Sequence, residues 1–564
     1  MKNEILITDL FEAAVEKERI SEEISKSKWR VLDYETSFCS GKLLCVSDKC
    51  HPKPVTLRLS AVGKYDIYLG TVQMRGAPTA IALRLSGTEE ISHIKPTTAY
   101  DWTPLETVAE CFWKSAELDG EDLILSKPDD YIPQSAALAW IRLVPWQNEY
   151  AKSAEVVYHL DSDYFTDDNY TTPESVCGRI EALADGGASV ILQEVLPSYD
   201  NEAYAPDEEL FPRAARFGFY RKNKRAVEKA LVDKAHGIGS EIYAAYRLQA
   251  SEFAPPNDFG GTNHFFREDY SAVSSMSCFT RDGRRMSQAS YAYPEVRKKA
   301  VDTLLSFMDS GFDGVSLIFC RGILVGFEKP VLDEIHRVYG VDGRRLPMSD
   351  PRYHRIAASF VTEFMKELRA ALDEKYTERK KINAVVLFTP EDSLYNGFDT
   401  EEWVRLGLVD SVCQGLMRVY EDLDGTLDED GLIDLERYEK VLLERRIIKR
   451  DFRINDKTRE MLIRGAEEFE KICHGKADFY ATLLWEAQTE DETVAITDML
   501  KALGIRKFIS WNANHKAKIL NRINAEKFYT AGSPEEYNEK RARYYRTLSI
   551  GGTDMSQFDP NWKG

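Results

Sequence analysis

Acidic residues stand at or just beyond the ends of several short apolar segments in the second part of this chain. Asp161, Glu194, Glu391 and Glu486 occupy such positions, and amide and aromatic residues stand beside them. Glycosidic bonds are broken by two carboxyl groups, of which one donates a proton to the leaving oxygen and the other acts as an anion. Aromatic faces stack on sugar rings, and amides hold hydroxyl groups. This mixture of residue types therefore favours chemistry on a carbohydrate.

Glu486 is the predicted first catalytic carboxylate, because it directly follows the apolar segment Phe479–Trp485. Glu391 and Glu328 are the candidates for its partner. The predicted substrate-binding residues end the other segments or lie just beyond them: Asp161, Glu194, Tyr246, Arg321, Trp485, Trp511 and Asn512. Structural explanations compete with these roles, since an aspartate after a strand can cap the next helix and a tryptophan can pack in a core.

A metal-dependent site is an alternative that would begin with His159 and Asp161. The nine histidines include no His-x-His and no His-Glu-x-x-His pattern that would complete such a site. No Gly-x-Ser-x-Gly elbow occurs, which argues against a serine hydrolase. We therefore predict no metal and no other cofactor.

The elements that must position these residues alternate between strand and helix from Glu155 onward, about eight times. The predicted strands are largely apolar, as in a parallel sheet covered on both faces. They are Val156–Leu160, Ala188–Gln193, Glu241–Tyr246, Asp313–Phe319, Asn383–Phe388, Leu408–Cys413, Phe479–Trp485 and Lys507–Trp511. This pattern predicts an α/β fold, a (β/α)₈ TIM barrel over residues 155–530. No Gly-x-Gly-x-x-Gly follows the first strand, which argues against a dinucleotide-binding sheet.

Active sites of such barrels lie at the C-terminal ends of the strands, so the acidic and aromatic residues above are expected to share one mouth. The long segment Leu248–Ala292 leaves the end of the third strand and contains the loop-like run PPNDFGGTN. Long loops in compact domains are usually functional. We predict that this segment forms a lid or a wall of the site.

The N-terminal part of the chain has a different pattern. Residues 29–147 contain short segments that alternate between apolar and polar residues, separated by glycines, which predicts an all-β sandwich domain. Ile5–Ser25 has helical periodicity and predicts an N-terminal helix within residues 1–28. Residues 531–564 are predicted to form a C-terminal helix and tail. A cut near Gln147–Lys152 is expected to leave a barrel that retains its secondary structure.

The composition limits the partners. A formal charge of −19 argues against nucleic acid and against an anionic membrane surface, and it is compatible with a neutral carbohydrate substrate. No apolar run of signal-peptide or membrane-spanning length occurs, so we expect a cytoplasmic protein. The sequence leaves the oligomeric state open, a homo-oligomer included.

Three motifs resemble those of family-ten-like glycosyl-hydrolase-like barrel proteins. Tyr293–Arg297 (YPEVR) is similar to their NPEVR, Asp313–Arg321 (DGVSLIFCR) to their DGIHLDYIR, and Trp403–Asp410 (WVRLGLVD) to their WVKEGLVD. The resemblance covers the barrel half and implies a glycosidase barrel. It places Ile318 where those proteins have an aspartate at a strand end. Either Glu328, Glu391 or Glu486 supplies the acid, or this chain has a different reaction or none.

These observations predict a glycoside hydrolase that acts on an oligosaccharide or a glycoside through paired carboxylates. A catalytically degenerate barrel that binds sugars without cleaving them is the second hypothesis, and Ile318 favours it. The metal-dependent barrel enzyme is the third.

Overall fold

The structure is a computed structural model of the 564-residue chain. It describes residues 4–36, 38–73, 79–94, 107–129, 134–146, 155–162, 165, 167, 169–183, 188–195, 218–248, 276–281, 283, 285–319, 324–347, 350–415, 456–483, 497–511 and 546–547. Within these ranges, no helix combines the length and the apolar character needed to cross a membrane.

Two largely antiparallel sheets form the N-terminal part of the chain. Their strands are β1 (Ile5–Ile7), β2 (Ile20–Ser21), β3 (Trp29–Glu35), β4 (Ser40–Val46), β5 (Val55–Leu57), β6 (Val62–Gln73), β7 (Ile81–Leu85), β8 (Ser92–Ile94), β9 (Thr107–Asp119), β10 (Leu123–Ser126) and β11 (Ala136–Pro145). The larger sheet has the order β2-β3-β4-β11-β6-β9, with β1 also paired to β11, and the smaller has the order β5-β10-β7-β8. Leu44 and Ile67 of the larger sheet and Leu83 and Leu123 of the smaller are buried in one core. The predicted all-β domain is confirmed.

The predicted N-terminal helix over Ile5–Ser25 is wrong. Residues Ile5–Ile7 form strand β1, which pairs antiparallel with β11. The α-helical part is limited to Leu10–Ala13 (α1), where the Asp9 side chain accepts from the Glu12 amide, and a 3₁₀ turn follows at Lys17–Arg19. The apolar residues have helical spacing, but pairing with an existing sheet edge satisfies the backbone of β1 at the same time as it buries its side chains. Tertiary pairing therefore overrides the local periodicity.

Eight parallel strands close into a barrel in the second part of the chain, which confirms the predicted fold. In chain order, with the hairpin β15–β16 inserted after the third, the strands are β12 (Glu155–Leu160), β13 (Ala188–Glu194), β14 (Glu241–Arg247), β15 (Ser277–Phe279), β16 (Arg285–Ala289), β17 (Gly314–Ile318), β18 (Lys381–Val385), β19 (Ser411–Cys413), β20 (Asp478–Leu483) and β21 (Lys507–Ser510). The barrel closes where β21 pairs with β12.

Helices follow the barrel strands. They are α2 (Gly178–Leu183), α3 (Gly218–Gly237), α4 (Pro294–Met308), α5 (Lys329–Tyr339), α6 (Pro351–Lys375), α7 (Pro390–Tyr395), α8 (Thr400–Arg405) and α9 (Asp456–Cys473). Proline stands in the first turn of α4, α5, α6 and α7, where its missing N–H has no partner within the helix. Most of the predicted C-terminal helix and tail lies outside the described residues. Arg546–Thr547 forms a short strand, β22, beside β9.

Strand register decides which side chains enter the barrel. Residues paired across adjacent parallel strands share a face, and Arg247 pairs with Ile318 while Ser316 pairs with Asn383. Buried hydrogen bonds connect Ser316 to Asn383 (2.7 Å) and Asn383 to Ser411 (2.8 Å). Tyr246, of the opposite parity, packs instead against Phe307 of α4, with ring centroids 5.6 Å apart. Arg247 and Ile318 therefore face the interior and Tyr246 faces the helices.

Candidate active site

Two carboxylates and one guanidinium meet where the first three barrel strands end. Asp161 directly follows β12, Glu194 ends β13 and Arg247 ends β14. Nε of Arg247 donates to Oε1 of Glu194 at 2.5 Å, and Nη2 donates to Oδ2 of Asp161 at 2.7 Å. Parallel neighbouring strands bring their C-terminal ends to one edge, so Asp161 and Glu194, 33 positions apart in sequence, share a single cation.

His159 and Ser162 complete the surroundings of Glu194. Nε2 of His159 lies 2.9 Å from Oε1, and the Ser162 hydroxyl donates to Oε2 at 3.3 Å. Nε2 donates to Glu194 in the tautomer that carries the ring proton on that nitrogen. The His159 ring also lies against Trp511, which follows the eighth strand, with ring centroids 4.6 Å apart. His159 is fully buried, and Glu194 is nearly so.

The fourth strand brings an apolar residue to the same level. Ile318 is fully buried, faces the interior and pairs in register with Arg247. The aspartate that the resemblance would place at this position is absent, and the neighbouring carboxylates come from the first and second strands instead.

Tyr246 was predicted to bind substrate, but the structure turns it away from the mouth. Its ring packs on α4, and its neighbour Arg247 points inward. Successive residues of a strand point to opposite faces, so an error of one residue exchanges the two roles. The predicted third strand ends at Tyr246, one residue before Arg247, and no local signal distinguishes the inner face of a strand that is covered on both sides. His159 was considered only as a metal ligand.

The carboxylate of Glu328 is buried and connects two loop segments through hydrogen bonds. It stands just before α5, is 1% exposed, and accepts from the backbone amides of Gly326 (3.0 Å) and Phe279 (3.3 Å) and from the hydroxyl of Ser290. Burial raises the pKa of Glu328, although the hydrogen bonds from Ser290 and Gly326 act in the opposite direction. Both carboxylate oxygens are thus engaged in holding the β15–β16 hairpin to the start of α5.

We therefore expect Glu328→Gln to destabilise the protein. The amide keeps the shape of the side chain, but its NH₂ group would face donors and leave one of them without an acceptor, at a cost of about 1–3 kcal/mol. Chemical denaturation measures the loss, with Glu378→Gln at an exposed position beyond the end of α6 as the control. Unchanged stability together with lost turnover would contradict this structural role of Glu328 and would support a catalytic role instead.

Glu391 lies in the first turn of α7, where its side chain is exposed. The hydroxyl of Thr389 caps this helix by accepting from the Asp392 amide at 3.0 Å, and a carboxylate in the first turn is favourable beside the helix N-terminus. No contact of Glu391 with the cluster of Asp161, Glu194 and Arg247 appears within the described part of the chain.

The remaining predicted residues lie outside the described residues. They are Glu486, Trp485, Arg321 and Asn512. The same is true of residues 249–275 of the predicted lid. The described residues of the lid are Leu248, 276–281, 283 and 285–292, and they include the hairpin β15–β16. Their roles stay predictions.

A metal site at His159 and Asp161 finds no support in the contacts. Oδ2 of Asp161 accepts a hydrogen bond from Nη2 of Arg247, and Nε2 of His159 is hydrogen-bonded to Glu194. Among the described residues, no group of three or more His, Cys, Asp or Glu side chains is arranged to hold a metal ion.

The cluster is chemically suited to an anionic role. Glu194 accepts from the guanidinium of Arg247 and lies within hydrogen-bonding distance of the imidazole of His159. Partners placed in this way hold a carboxyl group in position to face a positive charge that develops on a substrate. A second carboxyl group would have to act as the acid.

No model of a known protein family matches the chain, and no curated protein sequence matches it. Similar solved structures include glycoside hydrolases. An α-galactosidase from Thermus thermophilus is 11% identical, with 91% of this chain and 94% of that one covered and a TM-score of 0.33. The glycoside hydrolase domain of PelA from Pseudomonas aeruginosa is 13% identical (64% and 96% covered, TM-score 0.30). A class V chitinase from Nicotiana tobaccum is 12% identical (47% and 52% covered, TM-score 0.23). Similarity at this level carries no argument about activity.

Proposed function

We propose that this chain is a glycoside hydrolase whose anionic carboxylate is Glu194, assisted by Asp161. The observation that carries the proposal is the pair of carboxylates held by Arg247 at the C-terminal end of the barrel strands. Glycoside hydrolysis needs an anion close to the anomeric carbon, where an oxocarbenium-like charge develops. Nε of Arg247 and the buried imidazole of His159 hold Glu194 in position before that charge develops on the substrate.

The substrate in this proposal is a neutral oligosaccharide or glycoside. Trp511, half-buried beside His159, offers an aromatic face near the carboxylates on which a sugar ring can stack. The acidic net charge of the chain fits a substrate without negative charge.

Glu486 is the proposed proton donor. It stands three residues beyond Leu483, the end of β20, and β20 is separated from β12 by β21 alone. In a barrel, this order favours an approach from the side of the mouth opposite to β13 and β14. The division of roles follows the general rule that the acid and the anion sit in different electrostatic surroundings.

Glu486→Gln is expected to separate substrates by their leaving groups. A glutamine cannot donate an acidic proton, so turnover of alkyl or oligosaccharide substrates should fall by about 10²–10⁴-fold. Aryl glycosides with an acidic nitrophenol leaving group need little protonation and should lose much less. Steady-state kinetics on both substrate types measures the difference. Equal losses on both would remove Glu486 from the acid role.

A sugar-binding barrel without hydrolytic activity is the second candidate, favoured by Ile318. This buried residue removes a carboxylate from the fourth strand at the level of Arg247. A barrel that has lost a reacting group keeps the stacking and hydrogen-bonding residues that recognise sugars.

A panel of aryl glycosides and oligosaccharides, tested in parallel for cleavage and for binding by calorimetry, distinguishes the two candidates. Cleavage that depends on Glu194 supports the hydrolase. Calorimetric binding with no product after prolonged incubation supports the binding protein. The metal content of the purified chain decides the metal-dependent alternative separately.

A further inference from the structure

A buried histidine of the N-terminal domain contacts the connection that follows the first barrel strand. His93 lies in β8, its Nε2 is hydrogen-bonded to Oδ2 of Asp167, and its Nδ1 lies 3.2 Å from the hydroxyl of Tyr170. The His93 ring meets Tyr170 edge-on, with ring centroids 5.7 Å apart. The three residues are 7%, 2% and 3% exposed, so the contact is shielded from water.

The second oxygen of Asp167 is also shared between the two parts of the chain. Oδ1 accepts from the Asn169 amide (2.9 Å) within the connection and from the Asp129 amide (3.1 Å) of the N-terminal domain. Burial alone would raise the pKa of Asp167, but the attraction of His93 and these hydrogen bonds lower it below its usual value. Asp167 is thus a buried, fully bonded carboxylate that ties the connection to the N-terminal domain.

The backbones approach closely at the same place. The Ile91 amide donates to the Ser175 carbonyl at 2.9 Å, and the Ser92 hydroxyl donates to the Gly178 carbonyl at 3.1 Å. A Cβ on Gly178 would lie 2.2 Å from the Ile91 carbonyl oxygen, so no larger residue fits without movement. The domains therefore meet in a specific, closely packed interface around β8.

The anchored connection begins at the candidate site. Asp161 starts it and bonds to Arg247, and Ser162 donates to Glu194. Asp167 follows Ser162 by five positions, and Phe165, between them, stacks on Tyr220 of α3 with ring centroids 4.3 Å apart. The start of the connection is therefore held at the barrel mouth through Asp161 and Ser162. Its later residues Asp167 and Tyr170 are held by the N-terminal domain.

We propose that His93 is a positioning residue, through which the N-terminal domain fixes the connection that carries Asp161 and Ser162. The candidate site is then completed by docking of the two domains, and the N-terminal domain is part of the catalytic scaffold. This inference rests on the proposed function for the role of Asp161, but the anchoring itself is measurable without a substrate.

The test uses His93→Leu in the full chain. Leucine keeps apolar packing but leaves Asp167 and Tyr170 without the imidazole, so amide hydrogen exchange in residues 161–177 should rise by about tenfold or more. The control is Lys234→Ala, which removes ion pairs to Glu90 (2.9 Å), across the same domain boundary, and to Glu181 (3.6 Å) of α2, while the contact between His93 and Asp167 stays in place. Exchange in residues 161–177 should stay unchanged in the control.

Turnover provides the second readout. His93→Leu should lower kcat more than it raises KM, because a displaced Asp161 affects the transition state more than substrate binding. His93→Gln should restore most of the loss, since its amide N–H can donate to Asp167 where Nε2 does. If His93→Leu fails to fold, Tyr170→Phe removes only the hydroxyl contact, and a smaller rise of exchange in the same segment is expected.

Unchanged exchange in residues 161–177 in a folded His93→Leu variant, or an equal rise in Lys234→Ala, would overturn the positioning role. A rise confined to His93→Leu supports it. If that rise occurs while Asp161→Asn retains full turnover, the anchoring stands and the proposed role of Asp161 falls.

Discussion

Glu194→Gln is expected to lower turnover on a confirmed glycoside by roughly 10³-fold or more while the fold is retained, because the amide cannot ionise. The shape of the side chain is preserved, so packing against His159 changes little. What is lost is the negative charge that Arg247 and His159 hold in place at 2.5 and 2.9 Å. Steady-state kinetics measures the effect, and circular dichroism with thermal unfolding shows that the fold persists.

The matched control for this change is Glu241→Gln. Glu241 begins β14 at the opposite end of the barrel, where its carboxylate accepts from the Tyr243 hydroxyl at 2.6 Å. Glu241→Gln makes the same chemical change away from the barrel mouth and should leave turnover intact. Near wild-type turnover in Glu194→Gln would show that Glu194 is a structural partner of Arg247, and the anionic role would pass to a carboxylate beyond the described residues.

Arg247→Met is expected to reduce both stability and turnover. Without the guanidinium, Asp161 and Glu194 are two largely buried carboxylates that have lost their shared cation, with side chains 15% and 6% exposed. Removing one partner of a buried ion pair typically costs about 3–5 kcal/mol, because the remaining charge is left uncompensated. Turnover should fall by about 10²-fold, since the anion loses the donor that fixes its position.

A second substitution separates the two causes. In the Arg247→Met, Glu194→Gln double variant one charge is removed, so chemical denaturation should show recovery of stability but no recovery of turnover. Arg337→Met is the control, because its ion pair with Glu334 lies on the surface. If Arg247→Met unfolds at the same denaturant concentration as the wild type, the two carboxylates do not depend on a shared cation, and the proposed site loses its main support.

Periodicity along the chain was sufficient to predict the barrel. Each barrel strand is an apolar run flanked by helix signals, and this local pattern repeats often enough to require closure. The same reasoning placed Asp161 and Glu194 at strand ends, and therefore at one mouth. The motif comparison also identified Ile318 as a position without its expected carboxylate, and the structure shows that residue buried beside Arg247.

Three features depended on contacts between residues far apart in sequence. Helical spacing near the N-terminus predicted a helix, but pairing with β11 makes Ile5–Ile7 a strand. The sequence made Glu328 a candidate for catalysis, but its carboxylate is buried and accepts hydrogen bonds from Phe279 and Ser290. The hydrogen bond between His93 and Asp167 joins residues 74 positions apart. Neither the strand pattern of the N-terminal part nor the strand–helix pattern of the barrel predicts it.

The sequence by itself determined the alternation of strands and helices in the barrel, the two-sheet N-terminal domain and the strand ends that carry acidic residues. The tertiary structure alone decided that Arg247, and not Tyr246, enters the mouth and binds both Asp161 and Glu194. The physical reason is that hydrophobic periodicity is a property of one segment, whereas both faces of a barrel strand are apolar and covered. Which face is the inner one depends on register with neighbouring strands and on closure of the barrel.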